Sequence, residues 1–333
     1  MLAYVLKRLI AGFMVVVIIS MMVYALFWYG PKSPAKPLCD SERSRGCDPA
    51  TIERYEAKLG FNNPIHEEYG KWAKGLVAGR TITVGSTDIQ CDAPCLGLSN
   101  RNRQPVFEQL VTKIPATVSL AFGAAFLYLA VGVTVGVMAA RRRGSFADKA
   151  LVSTSLFMTS IPYYLVALIV MLYTTLSLDI VEKGYVSIAD GGIGGWFSHL
   201  LVPWLVLGIY GSTQYTRFSR GAMVESLSED YIRTAKAKGL PGRTVVYKHA
   251  LRSALVPVVT IFGIDFAFLL AGTVFTEKIF DIQGMGLWAL DATYIKDLPV
   301  VQATVLVGAV IIVLANIVVD LLYSVLDPRV RLS

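Results

Sequence analysis

The stretch LIAGFMVVVIISMMVYALFWY, residues 9–29, is largely apolar and contains no charged side chain. As a helix it would be about 30 Å long, which is the thickness of the hydrocarbon core of a bilayer. The apolar region of a secretory signal peptide is shorter, about 7–15 residues, and it precedes a small-residue cleavage site that is missing here. We therefore predict that residues 9–29 form a retained membrane-spanning helix.

Further apolar windows repeat this pattern along the chain. They are residues 115–140, 151–178, 199–215, 254–275 and 301–326. The window 199–215 is the shortest of them, and Pro162 and Pro203 favour kinks in the third and fourth helices. None of the windows shows the alternation of about ten residues that is typical of membrane β-barrels. We predict an all-α polytopic membrane protein with six transmembrane helices.

The composition supports this class of protein. Of the 333 residues, 54% are hydrophobic and 17% are charged, and the mean hydropathy is +0.56. An ordinary soluble enzyme needs more charge on its surface, and a disordered chain has fewer apolar residues. Both classes are therefore excluded.

The basic residues predict the orientation of the chain. If the segments between spans alternate sides, one side carries a net charge of +11 and the other carries −2. The positive segments are residues 1–8, 141–150, 216–253 and 327–333. Cytoplasmic loops carry the excess of Lys and Arg, so we predict that both termini are cytoplasmic. Nucleic-acid binding is not predicted, because the basic residues are not clustered on one folded module.

Residues 30–114 form a long insertion that we place outside the cytoplasm. A Pro-rich start is followed by helices at 49–58 and from about Pro64, by a strand at 81–84 and by a helix from about Val106 into the second span. The four cysteines of the chain all lie here: Cys39, Cys47, Cys91 and Cys95. An even number of cysteines on the oxidising side favours two disulfides, with Cys39–Cys47 and Cys91–Cys95 as the first choice among three connectivities. A four-thiolate zinc site is the alternative.

The cytoplasmic segment 216–253 contains signals for a short helix at 231–238. Ser228 is a candidate N-cap, Gly239 suits the left-handed position after the last turn, and Pro241 ends the helix. Such a helix is too short to cross a membrane or to be stable alone in water, so we expect it to dock on a partner. A second helical run follows and enters the fifth span.

Residues 230–239 (DYIRTAKAKG) and 248–257 (KHALRSALVP) resemble the "EAA" loop of ABC-importer permeases, and more specifically the dipeptide/oligopeptide permease group. Of the family pattern Glu-Ala-Ala-x-x-x-Gly, the chain keeps Ala235 and Gly239 and departs at the first two positions. The segments AGTVFTEKIF (271–280) and NIVVDLLYSVLDPRVR (316–331) are similar to other parts of this family. The cysteine-bearing segments are not.

This resemblance implies a MetI-like ABC importer permease fold in the cytoplasmic (inner) membrane of a prokaryote. The chain would form half of a path for di- or oligopeptides. It would assemble with a second homologous permease, two ATPase subunits or domains and an external peptide-binding protein. The implied divisions are 1–29 (first span), 30–114 (extracytoplasmic insertion), 115–327 (five-helix permease core with coupling loop 216–253) and 328–333 (cytoplasmic tail).

The resemblance also implies roles for particular residues. Contact with the ATPases is expected at Asp230, Tyr231, Arg233, Thr234, Ala235, Lys238 and Gly239. Contact with the binding protein is expected in the external loop 276–300, at Asp281, Gly284 and Gly286. Asp265, in the middle of the fifth span, is either a residue of the translocation path or a hydrogen-bonded packing residue, because an acid is costly in the membrane.

The residues do not predict an enzyme. The chain contains no phosphate-binding Gly-x-x-x-x-Gly-Lys-Ser/Thr run, so ATP and Mg²⁺ are expected in the partner ATPases and no cofactor or metal in this chain. Its three histidines lie in separate segments, without a metalloprotease motif. A secondary transporter of small solutes without ATPase partners is the alternative function, but it would show an internal repeat and an ion site on broken helices.

Overall fold

The structure is a computed structural model, and it describes residues 2–30, 36, 48–58, 60–84, 87–178 and 182–326. We number its longer elements in chain order. They are α1 (Leu2–Tyr29), α2 (Pro49–Lys58), α3 (Ile65–Ala78), β1 (Arg80–Val84), β2 (Thr87–Cys91), α4 (Val106–Arg141), α5 (Phe146–Ser160), α6 (Tyr163–Met171), α7 (Ile188–Ser228), α8 (Asp230–Ala237), α9 (Gly242–Ala271), α10 (Val274–Ile279), α11 (Met285–Tyr294) and α12 (Leu298–Leu326).

The arrangement of long helices confirms the predicted spans. Helices α1, α4, α7, α9 and α12 contain segments long and apolar enough to cross a membrane, and α5 with α6 forms a sixth, bent by 87°. The bend lies at Pro162, whose ring and missing N–H end the first half of the helix. Helix α6 continues as π-helical turns over Leu172–Ser177.

The fourth span differs most from its prediction. Helix α7 covers 41 residues, far beyond the window 199–215, because its polar ends are helical as well. Pro203 lies inside this helix with helical backbone angles, and the irregular backbone lies at Gly192 with φ 64°. A window based on hydropathy finds only the apolar middle of such a helix.

The centre of the bundle is the contact between α4 and α7. Gly132 and Gly136 lie one turn apart on α4 and face α7. A Cβ atom at Gly132 would lie 2.3 Å from the Cβ of Tyr215, and one at Gly136 would lie 2.7 Å from the Cβ of Ser219. The two backbones therefore approach closely, as small residues spaced by four allow in membrane helices.

Helix α1 lies at the edge of the bundle. It packs on α12 and contacts the insertion through α3. Phe13 and Met22 of α1 are exposed by 70% and 66%. This face suits lipid or another subunit rather than water.

The insertion is a small structure in which helices α2 and α3 precede a hairpin. Strand β1 pairs antiparallel with β2, and Arg80 lies opposite Cys91. The prediction included β1 but missed β2. A disulfide joins Cys91 to Cys95 and so confirms that predicted pair, while Cys39 and Cys47 lie outside the described residues.

The insertion and the ends of the spans share one hydrophobic cluster. It contains Trp72 of α3, Val106 and Leu110 of α4, Met285 of α11 and Val300 of α12.

The loop 276–300, predicted without secondary structure, contains most of α10 and all of α11. Helix α9 ends at Ala271, and the next residue, Gly272, has φ +129°, a conformation that L side chains rarely adopt.

Candidate functional site

Helix α8 is the short helix predicted at 231–238, displaced by one residue. It lies against the ends of the spans and contacts α7 and the start of α9. Ile232 is fully buried and Ala235 is exposed by 8%. Both side chains join a cluster with Val137 of α4 and Met223 of α7. One face of α8 is therefore fixed to the bundle.

The ends of α8 explain its length. The N-cap residue is Glu229, so the prediction of Ser228 is wrong. The hydroxyl of Ser228 donates instead to the carbonyl of Glu225 at 2.7 Å. The other end confirms the prediction, because Gly239 has φ +76°.

Two backbone hydrogen bonds close the C-terminal end of α8. The N–H of Gly239 donates to the carbonyl of Lys236 at 2.9 Å, and that of Leu240 donates to the carbonyl of Ala235 at 3.3 Å. This pattern is a Schellman motif, and it needs a residue in the left-handed conformation. The helix is therefore ended by its own sequence.

The other face of α8 is open to solvent. The predicted contact residues with exposed side chains or backbone are Asp230, Tyr231, Arg233, Thr234, Lys238 and Gly239. Asp230 and Arg233 form an ion pair at 3.2 Å with both side chains mostly exposed. Ala235 requires a correction: it packs inside its own chain, so it positions α8 and presents no surface to a partner.

Ser226 connects the helices α7, α8 and α9. Its hydroxyl donates to the carbonyl of Ala250 in α9 at 2.9 Å and lies 3.0 Å from the hydroxyl of Tyr231. Ser226 itself belongs to α7 and is buried. Ser226 therefore links α8 to both α7 and α9.

A partly buried ion pair joins α5 to α7, and it was not predicted from the sequence. Arg220 of α7 donates to both carboxylate oxygens of Asp148, at 2.5 and 2.7 Å. The N–H of Gly144 donates to the same carboxylate at 2.9 Å. The pair fixes the basic turn 141–145 to α7. Asp148 is the single acid in the basic segment 141–150, and that was the available signal.

Asp265 lies in α9 and is half-buried. The hydroxyl of Tyr215 in α7 donates to its carboxylate at 2.7 Å. Tyr215 also contacts the ring of Tyr128 in α4, with centroids 5.6 Å apart. Asp265 is thus hydrogen-bonded across the bundle, and this contact is compatible with either role expected for it.

The external loop gives a different result for each of its three predicted residues. Asp281 is exposed and has φ +54°. Gly284 and Gly286 are buried, and a Cβ atom at Gly284 would lie 2.5 Å from the carboxylate carbon of Glu277. The expectation that these glycines meet a binding protein is corrected, because they allow close packing inside the chain.

Glu277 organises this loop and was not identified from the sequence. Its carboxylate is fully buried and accepts hydrogen bonds from the Thr117 hydroxyl at 2.8 Å and the Leu287 N–H at 2.7 Å. The Met285 N–H donates to Thr117 at 2.8 Å. Burial raises the pKa of the Glu277 carboxyl, while the Leu287 and Thr117 hydrogen bonds act in the opposite direction.

A second buried acid attaches the insertion to the last span. Asp297 precedes α12, and its carboxylate accepts hydrogen bonds from the Ser99 hydroxyl and, at 3.0 Å, from the Asn100 N–H. Asp297 is exposed by only 3%. The insertion and the start of α12 are therefore held together.

The disulfide bears on the alternative of a zinc site built from four thiolates. Cys91 and Cys95 are joined to each other, so two of the four thiolates that this alternative requires are not free. Among the described residues, no group of three His, Cys, Asp or Glu side chains is placed to hold a metal ion.

Two family models match the chain. Residues 132–332 match the "Binding-protein-dependent transport system inner membrane component". Residues 1–121 match its N-terminal counterpart, "Binding-prot-dependent transport system membrane comp, N-term". Together they cover the bundle and the insertion.

Curated relatives match over almost the whole chain. The "Dipeptide transport system permease protein DppB" of Escherichia coli K12 is 33% identical over an alignment of 354 positions, which covers 99% of each chain. The "Probable peptide ABC transporter permease protein y4tP" of Sinorhizobium fredii is 31% identical, covering 98% of this chain and 99% of the relative.

A solved structure has a similar fold. It is an inward-facing conformation of the MetNI methionine ABC transporter, with a TM-score of 0.53 and 21% identity. The match covers 67% of this chain and 99% of that chain. The confirmed similarity is one of fold.

Proposed function

The chain belongs to the family of binding-protein-dependent transport system inner membrane components, and we propose that its substrates are short peptides. It is a permease subunit of an ATP-driven ABC importer, a membrane transport component that works with partner subunits. The peptide assignment is supported by full-length similarity to permeases that are named for peptide and dipeptide transport. A secondary transporter is not supported.

The observation that carries the mechanism is the two-faced packing of α8. Ile232 and Ala235 fix one face to the bundle, while Arg233, Thr234 and Lys238 project into solvent. A helix of eight residues is not stable alone, so its position depends on these two surfaces. In our proposal the exposed face docks on an ATPase, and closure of the two ATPases moves α8 and, through Ser226, helices α7 and α9.

The proposed orientation places α8 and both termini in the cytoplasm and residues 30–114 outside. The distribution of Lys and Arg supports this orientation. The Cys91–Cys95 disulfide supports an oxidising location for the insertion. The chain then spans the inner membrane of a prokaryote several times.

The proposed path runs along the bundle beside Asp265, and a second homologous permease provides its other half. Carboxylates inside a membrane bundle usually face a watery path or a partner. The carboxylate of Asp265 would attract the amino group of a peptide, with Tyr215 holding it in place. ATP and Mg²⁺ belong to the two ATPase subunits or domains, because this chain has no phosphate-binding run of its own.

The external binding protein would dock on the exposed part of the loop 276–300. Of the residues expected there, Asp281 remains in this role. Its side chain accepts a hydrogen bond from Gln283 at 3.0 Å, and both side chains are exposed. The binding protein would deliver the peptide at this surface.

Co-purification with charge-reversed variants tests the proposal. We expect Arg233→Glu combined with Lys238→Glu to abolish association with the ATPases, because both changes lie on the exposed face of α8. Lys149→Glu is the matched control, since Lys149 is also exposed and basic but lies in α5. Retention of ATPases and of peptide-stimulated ATP hydrolysis in the α8 variant would show that α8 is not the contact.

The peptide assignment has its own test. Vesicles containing the complete importer and its binding protein are expected to accumulate a labelled dipeptide when ATP is inside. Asp265→Asn should lower this uptake while the ATPases still co-purify. An importer that assembles and hydrolyses ATP but transports no di- or oligopeptide would refute the assignment.

A further inference from the structure

A cavity of about 630 Å³ lies where the insertion meets the membrane bundle. Its walls come from the end of α1, from α3 and β1, from the segment 96–103 and from the start of α12. It is separate from α8 and from Asp265, and none of the roles described above uses it. Its volume is within the range of small-molecule binding sites.

Three nitrogen atoms in residues that line this cavity have no hydrogen-bond partner among the described residues. They are the indole nitrogen of Trp72, the Nε of Arg80 and the amide nitrogen of Gln302. All three are buried and all three are donors. Buried donors without a partner are rare in proteins, because each costs free energy. A group that fills this cavity and supplies acceptors would satisfy them.

Arg80 is the charged member of this set. Its side chain lies across α3, where a Cβ atom at Gly75 would be 3.0 Å from its Cδ and 3.4 Å from its Nε. Burial lowers the pKa of its guanidinium, but an arginine stays charged at neutral pH. The Arg80 side chain forms no ion pair within the part of the chain that the structure describes. The charge of this partly buried side chain interacts with the Glu68 carboxylate, but without an ion pair it still favours a further anion.

The remaining wall of the cavity is aromatic. Trp28 and Phe61 contact each other with ring centroids 4.6 Å apart, and Tyr24 contacts Trp72 at 5.7 Å. Glu68, the acidic residue of the lining, is already paired with Lys71. The lining thus combines apolar surface with an excess of positive charge.

We propose that this cavity binds a small organic carboxylate with an apolar body. The carboxylate accepts hydrogen bonds from Arg80, Trp72 and Gln302, and the apolar body lies against Tyr24, Trp28 and Phe61. The carboxyl end of a short apolar peptide and a simple arylalkyl acid are two sources of this chemistry. Only the first source rests on the proposed function.

Calorimetric titration of the complete permease complex in lipid nanodiscs tests the site. The probes are the dipeptide Phe-Leu, its C-terminal amide and 3-phenylpropionate. We expect the carboxylate probes to bind and the amide to bind at least about 10-fold more weakly, because charge-assisted hydrogen bonds are lost. Binding of Phe-Leu alone would identify the peptide source, and binding of both acids would identify a general carboxylate site.

Variants assign the binding to this cavity. Arg80→Gln keeps a polar side chain but removes the charge, and it should weaken carboxylate binding by about 10-fold or more. Gln302→Leu should also weaken it, through loss of a donor. Arg101→Gln is the control, because Arg101 is exposed in the same insertion and does not line the cavity. Retention of the Cys91–Cys95 disulfide, measured by mass spectrometry, checks that each variant is folded.

Three results would overturn the proposal: no binding of either acid, equal binding of acid and amide, or equal binding by wild type and the Arg80→Gln variant. Peptide uptake is measured separately. Loss of uptake with intact carboxylate binding would count against the proposed transport function and not against this site.

Discussion

Replacing Glu277 with alanine tests how the external loop is held on the bundle. The carboxylate of Glu277 is buried and accepts one hydrogen bond from Thr117 and one from Leu287. Alanine removes both acceptors. The Thr117 hydroxyl and the Leu287 N–H would then remain buried without their partner, since Gly284 and Gly286 pack directly against the carboxylate.

The expected cost follows from these two donors. A buried donor without a partner costs about 1–3 kcal/mol. Two of them give a loss of about 4 kcal/mol in the free energy of unfolding. This is far above the change of about 0.5 kcal/mol that is usual for surface substitutions. We therefore expect a clear fall in the melting temperature of the purified complex.

Thermal unfolding of the complex in detergent, with uptake by reconstituted vesicles, measures the effect. Asp281→Asn is the control, because Asp281 lies in the same loop but is exposed, and asparagine tolerates the left-handed conformation found there. It should leave the melting temperature unchanged. If Glu277→Ala and Asp281→Asn unfold at the same temperature as wild type, the buried network does not stabilise the loop and our explanation of it is wrong.

Three further outcomes are expected. Gly136→Leu should destabilise the complex by about 1–3 kcal/mol in a thermal melt, because its side chain would collide with α7, whereas Gly221→Ala, which faces open space, should not. Asp148→Asn should lower ATP-dependent uptake more than ATPase co-purification, because it weakens the contact of the turn 141–145 with Arg220; equal losses in both assays would contradict this. Burial raises the pKa of the Glu277 carboxyl in the folded chain. Its protonated form therefore stabilises the fold at pH values below the unfolded pKa of about 4.3, and this contribution is lost as pH rises through the folded pKa. Glu277→Gln should remove this pH dependence from the melting curve.

The elements predicted correctly are those whose signals are local. Hydropathy located the six spans, and Gly239 with Pro241 located the end of α8, because caps and apolar windows act within a few residues of their own position. Pro162 located the bend in the third span for the same reason. These features do not depend on what the rest of the chain does.

The features that were missed depend on contacts between distant residues. Arg220 and Asp148 are 72 positions apart, and Thr117 and Glu277 are 160 apart. Ala235 has the same residue type whether it faces a partner or its own chain, and only the packing decides between them. A single sequence contains no record of such pairings.

The functional residues show the same difference between local signals and contacts with distant residues. The resemblance to importer permeases suggested an ATPase contact at Asp230 and Arg233, and the helix that carries them has an open face. It also suggested roles for Gly284 and Gly286, but a motif does not distinguish a glycine that meets a partner from one that allows close packing. The two glycines are seen to allow close packing only once the Glu277 carboxylate is located, and that carboxylate is held by Thr117 of α4.

The length of α4 has a mechanical consequence. Its 36 residues make a rod of about 54 Å. At one end Val106 lies in the cluster of the insertion, and at the other Val137 lies in the cluster that holds α8. One rod therefore joins the insertion to α8, and a displacement along its axis reaches the far end in full unless the rod bends. Pro115, which lacks an N–H for the helical ladder, is the point at which such bending costs least.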